Sequence, residues 1–153
     1  MTSRHDEGKL MVRPIEPGDA RTVSTLVGQL GYTRSEQEIR DWIAAADASR
    51  QAALVACYGG EVAGWIEVSI ERHLQSAPFA LIGGLVVAEG LRGKGIGREL
   101  CRAAEAWAWK HAVEKVRVTS RSTRIDAHRF YTRDGYGVVK TSLIFEKDRP
   151  KQA

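Results

Sequence analysis

The sequence predicts an α+β fold: a mixed, mostly antiparallel sheet flanked by helices, in the order β-α-α-β-β-β-α-β-α-β. Three observations carry that prediction. Helical spacing dominates the first third of the chain, strand patterning around a paired-glycine turn dominates the middle, and the two alternate toward the C-terminus. Strands joined by tight turns run antiparallel and strands joined through a helix can run parallel, so a mixed sheet follows.

Met11 to Ile15 reads as a short first strand, stopped by Pro14 and the turn Glu16-Pro17-Gly18-Asp19. Asp19 is placed to cap a helix that carries Val23, Leu26, Val27 and Leu30 at helical spacing and ends at Gly31. Ser35, followed three residues later by Glu38, is a capping-box pattern that opens a second helix through Ile39, Trp42 and Ile43. Ala52 to Tyr58, Gly59-Gly60 and Val62 to Ile70 then read as strand, turn and strand, a hairpin signal. Phe79 to Val87 is apolar almost throughout, as in a strand covered on both faces. A glycine-rich turn leads into a helix with Ile96, Leu100, Ala103, Trp107 and His111 on one stripe. Val116 to Ser120 predicts a further strand, Ile125 to Arg133 a short helix ended by Gly135, and Gly137 to Glu146 a last strand.

The 153 residues suit one domain. It is expected over 11–148, with a flexible N-terminal segment 1–10 and a C-terminal tail 149–153. Met1 to Lys9 is polar and charged, and the longest apolar run, Ala80 to Ala88, is broken by Gly83 and Gly84. That run is shorter than the roughly 20 residues of a membrane-spanning helix, so a soluble, cytoplasmic protein without a membrane partner is expected. The net charge of +4 suits a polyanionic partner. However, the cations are scattered, and no helix-turn-helix or aromatic RNA-binding stretch accompanies them, so nucleic acid is not an expected partner. Cys57 and Cys101 lie far apart without metal-ligand spacing, and the four histidines form no paired motif, so no metal site is expected.

The segment Leu85-Val86-Val87-Ala88-Glu89-Gly90-Leu91-Arg92-Gly93-Lys94-Gly95-Ile96-Gly97-Arg98 carries the chemistry. An apolar strand feeds a loop that opens directly into an amphipathic helix. Gly93, Gly95 and Gly97 permit positive φ, so successive N–H groups can converge on an anion. The helix N-terminus adds unpaired N–H groups and a partial positive charge, and Arg92, Lys94 and Arg98 add full charges. That arrangement suits a pyrophosphate. The spacing is neither that of a P-loop, which needs GxxxxGK and then Ser or Thr, nor the GxGxxG of a dinucleotide fold.

This segment resembles the acetyl-CoA-binding motif of the GNAT superfamily of N-acetyltransferases, Arg/Gln-x-x-Gly-x-Gly/Ala after an apolar strand, with Arg92, Gly95 and Gly97 in the pattern positions. Ala127-His128-Arg129-Phe130-Tyr131 with Gly135-Tyr136 is similar to the family's A-x-x-F-Y-x-x-x-G-Y/F stretch, and the element order is the family's. The resemblance implies acetyl transfer from acetyl-CoA to a primary amine of a small molecule or peptide. The amine attacks directly, through a tetrahedral intermediate, and the protein is commonly a homodimer. It implies a bulged fourth strand whose Leu85, Val86 and Val87 offer backbone groups to the pantetheine, with the Val87 N–H polarising the thioester carbonyl. Arg92, Gly93, Lys94, Gly95, Ile96, Gly97 and Arg98 hold the pyrophosphate. Tyr131 protonates the departing thiolate, a role a phenol can fill at neutral pH. Ala127 lies in the second motif. Arg124 stands where many members place an asparagine that contacts CoA, so that one contact differs.

The base is open from sequence. Glu67 and Glu71 share a strand face, and either could relay a proton from the ammonium; Glu67 lies nearer the strand centre, beside Trp65 and Ile66. Tyr32, between the first two helices, is a candidate lining residue of the acceptor pocket. A non-catalytic acyl-CoA sensor on the same fold is the alternative, against which Tyr131 argues.

Overall fold

The computed structural model describes residues 8–152. Most of the expected N-terminal segment 1–10 therefore lies outside the described residues. Met1–Thr119 and Ser120–Ala153 are two separately compact units.

The first unit is built on a five-stranded sheet in the order β1-β2-β3-β4-β5. β1 (Leu10–Pro14), β2 (Gln51–Tyr58), β3 (Glu61–His73) and β4 (Ser76–Val87) pair antiparallel in succession. β5 (Val116–Val118) pairs parallel with β4, as the intervening helix allows. The β2–β3 turn takes φ values of 62° at Gly59 and 85° at Gly60, the two positive angles a two-residue hairpin turn of this hand requires.

The sequence of β3 sorts the two faces of this sheet. Trp65 packs against a cluster of Val23, Val27, Val55 and Cys57, so its face meets α1 (Ala20–Gln29). Ile39 of α2 (Glu36–Ala45) packs against the same cluster. Gly64, one residue earlier, points the other way, toward Leu100 of α3 (Ile96–Lys110). The buried stripe of α3 is Ile96, Leu100, Cys101, Ala104 and Ala108. Ala103 and Trp107, expected on that stripe, sit at its border and are half-buried, and the Trp107 and His111 rings lie 4.0 Å apart, tilted by 31°. Both cysteines are free and buried.

The caps divide into one expectation met and one corrected. Ser35 Oγ accepts from the Glu38 N–H at 3.0 Å while Glu38 Oε1 accepts from the Ser35 N–H at 3.0 Å, the reciprocal box read from the sequence. Asp19 holds the N-cap position of α1, yet its carboxylate bonds no α1 amide. It accepts from both guanidinium nitrogens of Arg13, at 2.8 and 2.9 Å, and from the Glu16 N–H at 2.8 Å. A buried carboxylate takes the strongest donors within reach, and a bidentate guanidinium outbids a helix amide. The guanidinium beside it holds Asp19 below the usual carboxylate range.

The second unit carries α4 (Ile125–Arg133), with the bounds expected from sequence. It closes in a Schellman motif. Gly135, at φ 95°, donates to Thr132 O at 3.2 Å, and Tyr136 donates to Tyr131 O at 2.9 Å. Gly137 to Glu146, expected as the last strand, forms none: no strand is assigned there, and Val138, Val139, Leu143, Ile144 and Phe145 are exposed. β-branched and aromatic residues suit a strand, but a strand exists only where a partner supplies the hydrogen bonds. The observed order among the described residues thus ends at α4.

At Gly64 the backbones of β3 and β4 come close together. A Cβ there would lie 2.7 Å from Val86 O, 3.2 Å from Leu100 Cδ1 and 3.4 Å from Val87 Cα. The nearest atom is backbone and cannot rotate away. Gly64→Ala is therefore expected to lower stability by about 1–3 kcal/mol, read as a fall in the urea midpoint at unchanged m-value.

Candidate active site

β4 is bonded unequally on its two edges. Its register with β3 runs from Ser76 to Val87, with a shift between Gly84, opposite Glu67, and Ile82, opposite Val68. Gly83 is thus the extra residue of a β-bulge. On the other edge, pairing with β5 ends at Ile82 opposite Val118. From Gly83 to Val87 that edge has no neighbouring strand among the described residues.

The direction of the free amides follows from the ladder. Val86 O lies so close to Gly64 that it faces β3, and the Ala88 N–H donates to Ala63 O at 2.7 Å. In a trans peptide the N–H points opposite to the C=O, so the Val87 N–H points away from β3. Alternation along the strand turns the N–H of Leu85 the same way, while Val86 bonds back to β3. The open edge therefore presents donors from Leu85 and Val87.

The strand runs on into the glycine loop. Gly90, Gly93 and Gly95 hold φ of 82°, 81° and 80°, a backbone that only glycine adopts without strain. Gly95 is the N-cap of α3, and its carbonyl accepts the first helical bond, from Glu99 at 3.1 Å. The amides of Ile96 and Gly97 then lie in the first turn, where the helix supplies no acceptor. Gly97, expected to share the positive φ, sits inside the helix instead and is not among the positive-φ glycines. A helix admits only αR once begun, so the nest ends at Gly95. Arg92, Lys94 and Arg98 are exposed around this turn. Lys94 Nζ lies 5.7 Å from the Tyr58 ring centroid, and Lys94, Gly95 and Arg98 line an open groove of about 630 Å³ against Leu10 and Val12 of β1.

Two side chains of β3 lie over the bulge, on the face that meets α1. The Trp65 ring covers Gly84, where a Cβ would stand 2.6 Å from Cη2 and 2.8 Å from Cζ3. The carboxylate of Glu67 lies over Gly83, with Oε2 3.5 Å from where a Cβ would be. Glu67 is half-buried, and burial alone pushes its pKa up. Glu71 is already engaged: it accepts from Ser69 Oγ at 3.1 Å and lies 3.4 Å from His73 Nε2. The closeness of Trp65 to the backbone is the feature that residue spacing passes over. Its signal is the Gly83-Gly84 doublet inside an apolar strand, since glycine within a strand marks a bulge or a close approach.

The remaining sequence-derived residues fall elsewhere. Tyr32 is 57% exposed in the connection after α1, following Gly31 at φ 88°. Arg124, Ala127 and Tyr131 belong to the second unit, where Arg124 is the N-cap of α4 and Ala127 lies in its first turn. Tyr131 packs edge-on against Phe130 and Tyr136, with centroids 5.3 and 5.9 Å away. Its carbonyl is the acceptor that closes the Schellman motif, so Gly135 and Tyr136 define the local frame in which the phenol is held. His128 is bonded through Nε2 to Arg121 O at 2.8 Å. Among the described residues no cluster of His, Cys, Asp or Glu is arranged to hold a metal ion, and no helix is long and apolar enough to cross a membrane.

Comparison with known proteins bears on the whole arrangement. The chain is 39% identical over 83 residues to an aminoalkylphosphonate N-acetyltransferase of Salmonella typhimurium; the match spans 54% of each protein. It is 28% identical over 120 residues to a streptothricin acetyltransferase of Escherichia coli, across 78% of this chain and 67% of that protein. An aminoglycoside N-acetyltransferase solved in complex with CoA superposes with a TM-score of 0.80 at 16% identity, covering 92% of this chain and 95% of that one, which establishes a shared fold. Residues 21–136, which include the glycine loop, the bulged strand and α4, match the family described as Acetyltransferase (GNAT) family, and the chain belongs to that family.

Proposed function

We propose that this protein transfers an acetyl group from acetyl-CoA to a primary amine of a small molecule or peptide. The observation that carries the proposal is the free edge of β4 leading directly into a left-handed glycine loop at the N-terminus of α3. Bound acetyl-CoA would supply an activated thioester at one end and an anionic pyrophosphate at the other. Backbone amides of Gly93 to Gly97, with Arg92, Lys94 and Arg98 around them, suit the pyrophosphate. Leu85 and Val87 suit the pantetheine amides, and the Val87 N–H is a fixed dipole for the thioester oxygen as charge gathers there.

Proton traffic is assigned to side chains. Glu67 seats the incoming ammonium and takes its proton: burial raises its pKa toward neutrality, where a general base works best. Tyr131 donates to the departing thiolate, and Arg124 and Ala127 at the start of α4 complete the CoA contacts. These three assignments rest on the motif of the second unit. Tyr32 borders the acceptor. The aminoalkylphosphonate relative's name places an amino group on a small molecule, which supports a small-molecule acceptor here. A cytoplasmic homodimer belongs to the same proposal.

The test is calorimetric titration with acetyl-CoA, followed by thiol release across an amine panel. Saturable binding and thiol release with one class of amine are expected; absence of binding would overturn the proposal. In the same titration Gly95→Val should weaken binding at least about tenfold, because a β-branched residue resists φ near 80°. With the amine so identified, the base must be ionised, so activity should fall as pH drops through the raised Glu67 pKa, at higher pH than for an ordinary glutamate. Glu67→Gln should lower kcat about a hundredfold and remove that acidic limb. Tyr131→Phe should reduce kcat by a similar factor while sparing acetyl-CoA affinity, a separation visible in parallel kinetics and calorimetry.

A further inference from the structure

We infer that Trp65 sets the length of the acyl group this site accepts, by covering the bulge at which the free edge of β4 begins. The inference rests on the acetyl-CoA reading and adds to it a residue outside both motifs. The free edge has a direction. It runs into the glycine loop at one end and meets the β5 pairing at Ile82 and Val118 at the other. A thioester whose pyrophosphate lies on the loop sends its acyl end toward the paired end, where the bulge at Gly83 and Gly84 lies.

An acyl tail longer than acetyl must leave that end through one of the two faces of the sheet. The α3 face is filled: Ile66, Ile82 and Leu100 are fully buried there, and Leu100 Cδ1 reaches within 3.2 Å of a Cβ on Gly64. The other face is covered by Trp65, whose ring meets the Gly84 backbone so closely that a Cβ would stand 2.6 Å from Cη2. Trp65 also packs against Val23, Val27, Val55 and Cys57, contacts that any movement of the ring would give up. Glu67 stands beside it over Gly83, at the side assigned to the amine.

The half-buried indole also carries a polar group with a cost. Its Nε1 is enclosed and has no hydrogen-bond partner among the described residues. An enclosed donor of this kind is unfavourable, and a phenylalanine or leucine would fill a core position without it. The size of the ring is the property these contacts use.

The experiment compares full-length wild type with Trp65→Phe and Trp65→Leu, titrating acetyl-CoA, propionyl-CoA and butyryl-CoA calorimetrically and recording the Tm of each protein. For the wild type, butyryl-CoA should bind about tenfold or more weakly than acetyl-CoA, the scale on which an apolar pocket discriminates single methylenes. In the variants that ratio should contract toward unity, more for Leu than for Phe. A wild type that binds both thioesters equally overturns the inference. So does a folded variant with unchanged discrimination, or one whose acetyl-CoA and butyryl-CoA affinities fall in parallel with Tm, as a purely structural tryptophan would give. Failure of every thioester to bind the wild type would overturn the acetyl-CoA reading itself. Tight acetyl-CoA binding without discrimination would overturn only the role of Trp65. Because Phe removes the unpartnered donor while keeping an aromatic ring, at least one variant is expected to fold.

Discussion

β4 is hydrogen-bonded to β3 along its whole length and to β5 only as far as Ile82, and the rest of the molecule is organised around that inequality. A strand in the middle of a sheet ordinarily spends every backbone group on its neighbours. Here an extra residue at Gly83 turns the strand, and beyond it the amides of Leu85 and Val87 point to an edge with no neighbouring strand among the described residues. The other edge of β4 is bonded to β3, and Gly64 leaves room for Val86 O and Leu100 to approach closely, so the strand behind the free edge is anchored. Rigid donors aimed at a place where charge develops are the cheapest form of catalytic stabilisation, since nothing must be reorganised during the reaction.

Glycine serves two different physical ends along this path. At Gly93 and Gly95 nothing lies within 4 Å of a would-be Cβ, and the requirement is a positive φ, which glycine alone adopts without strain. At Gly64 and Gly84 the φ is ordinary and the requirement is space, for a carbonyl in one case and an indole in the other. The first kind shapes the loop that suits a pyrophosphate. The second kind brings β3 close enough to hold the free edge in place and to lay Trp65 and Glu67 over the bulge. Of the two acidic candidates on that face, Glu71 is engaged by Ser69 and His73. For its neighbour Glu67, burial pushes the pKa up.

The second motif has a local explanation that is independent of catalysis. Tyr131 and Tyr136 are the two ends of the contact that seals a Schellman motif, and Gly135 is its left-handed residue. The spacing F-Y-x-x-x-G-Y is therefore the spacing of a helix terminus. Whatever the phenol does, its backbone is pinned by a motif that any short stretch of chain can form.

What the sequence by itself determined is what is decided within a turn or two of the chain. The reciprocal cap of Ser35 and Glu38, the Gly59-Gly60 hairpin, the left-handed Gly93 and Gly95, the bounds of α4 and the family motifs were all legible, because each depends on residues within a few positions of one another. Asp19 marks the limit: its place at a helix start was readable, but its partner Arg13 comes from the preceding strand and takes the carboxylate away from the helix. Only the tertiary structure decided where β4 leaves β5, that Trp65 lies on Gly84, that Glu67 is half-buried over Gly83, and that residues 137–146 form no strand. Each of these depends on a partner distant in sequence. Strand pairing and side-chain burial are properties of two surfaces meeting, and a pattern of residue types along one segment specifies only one of them.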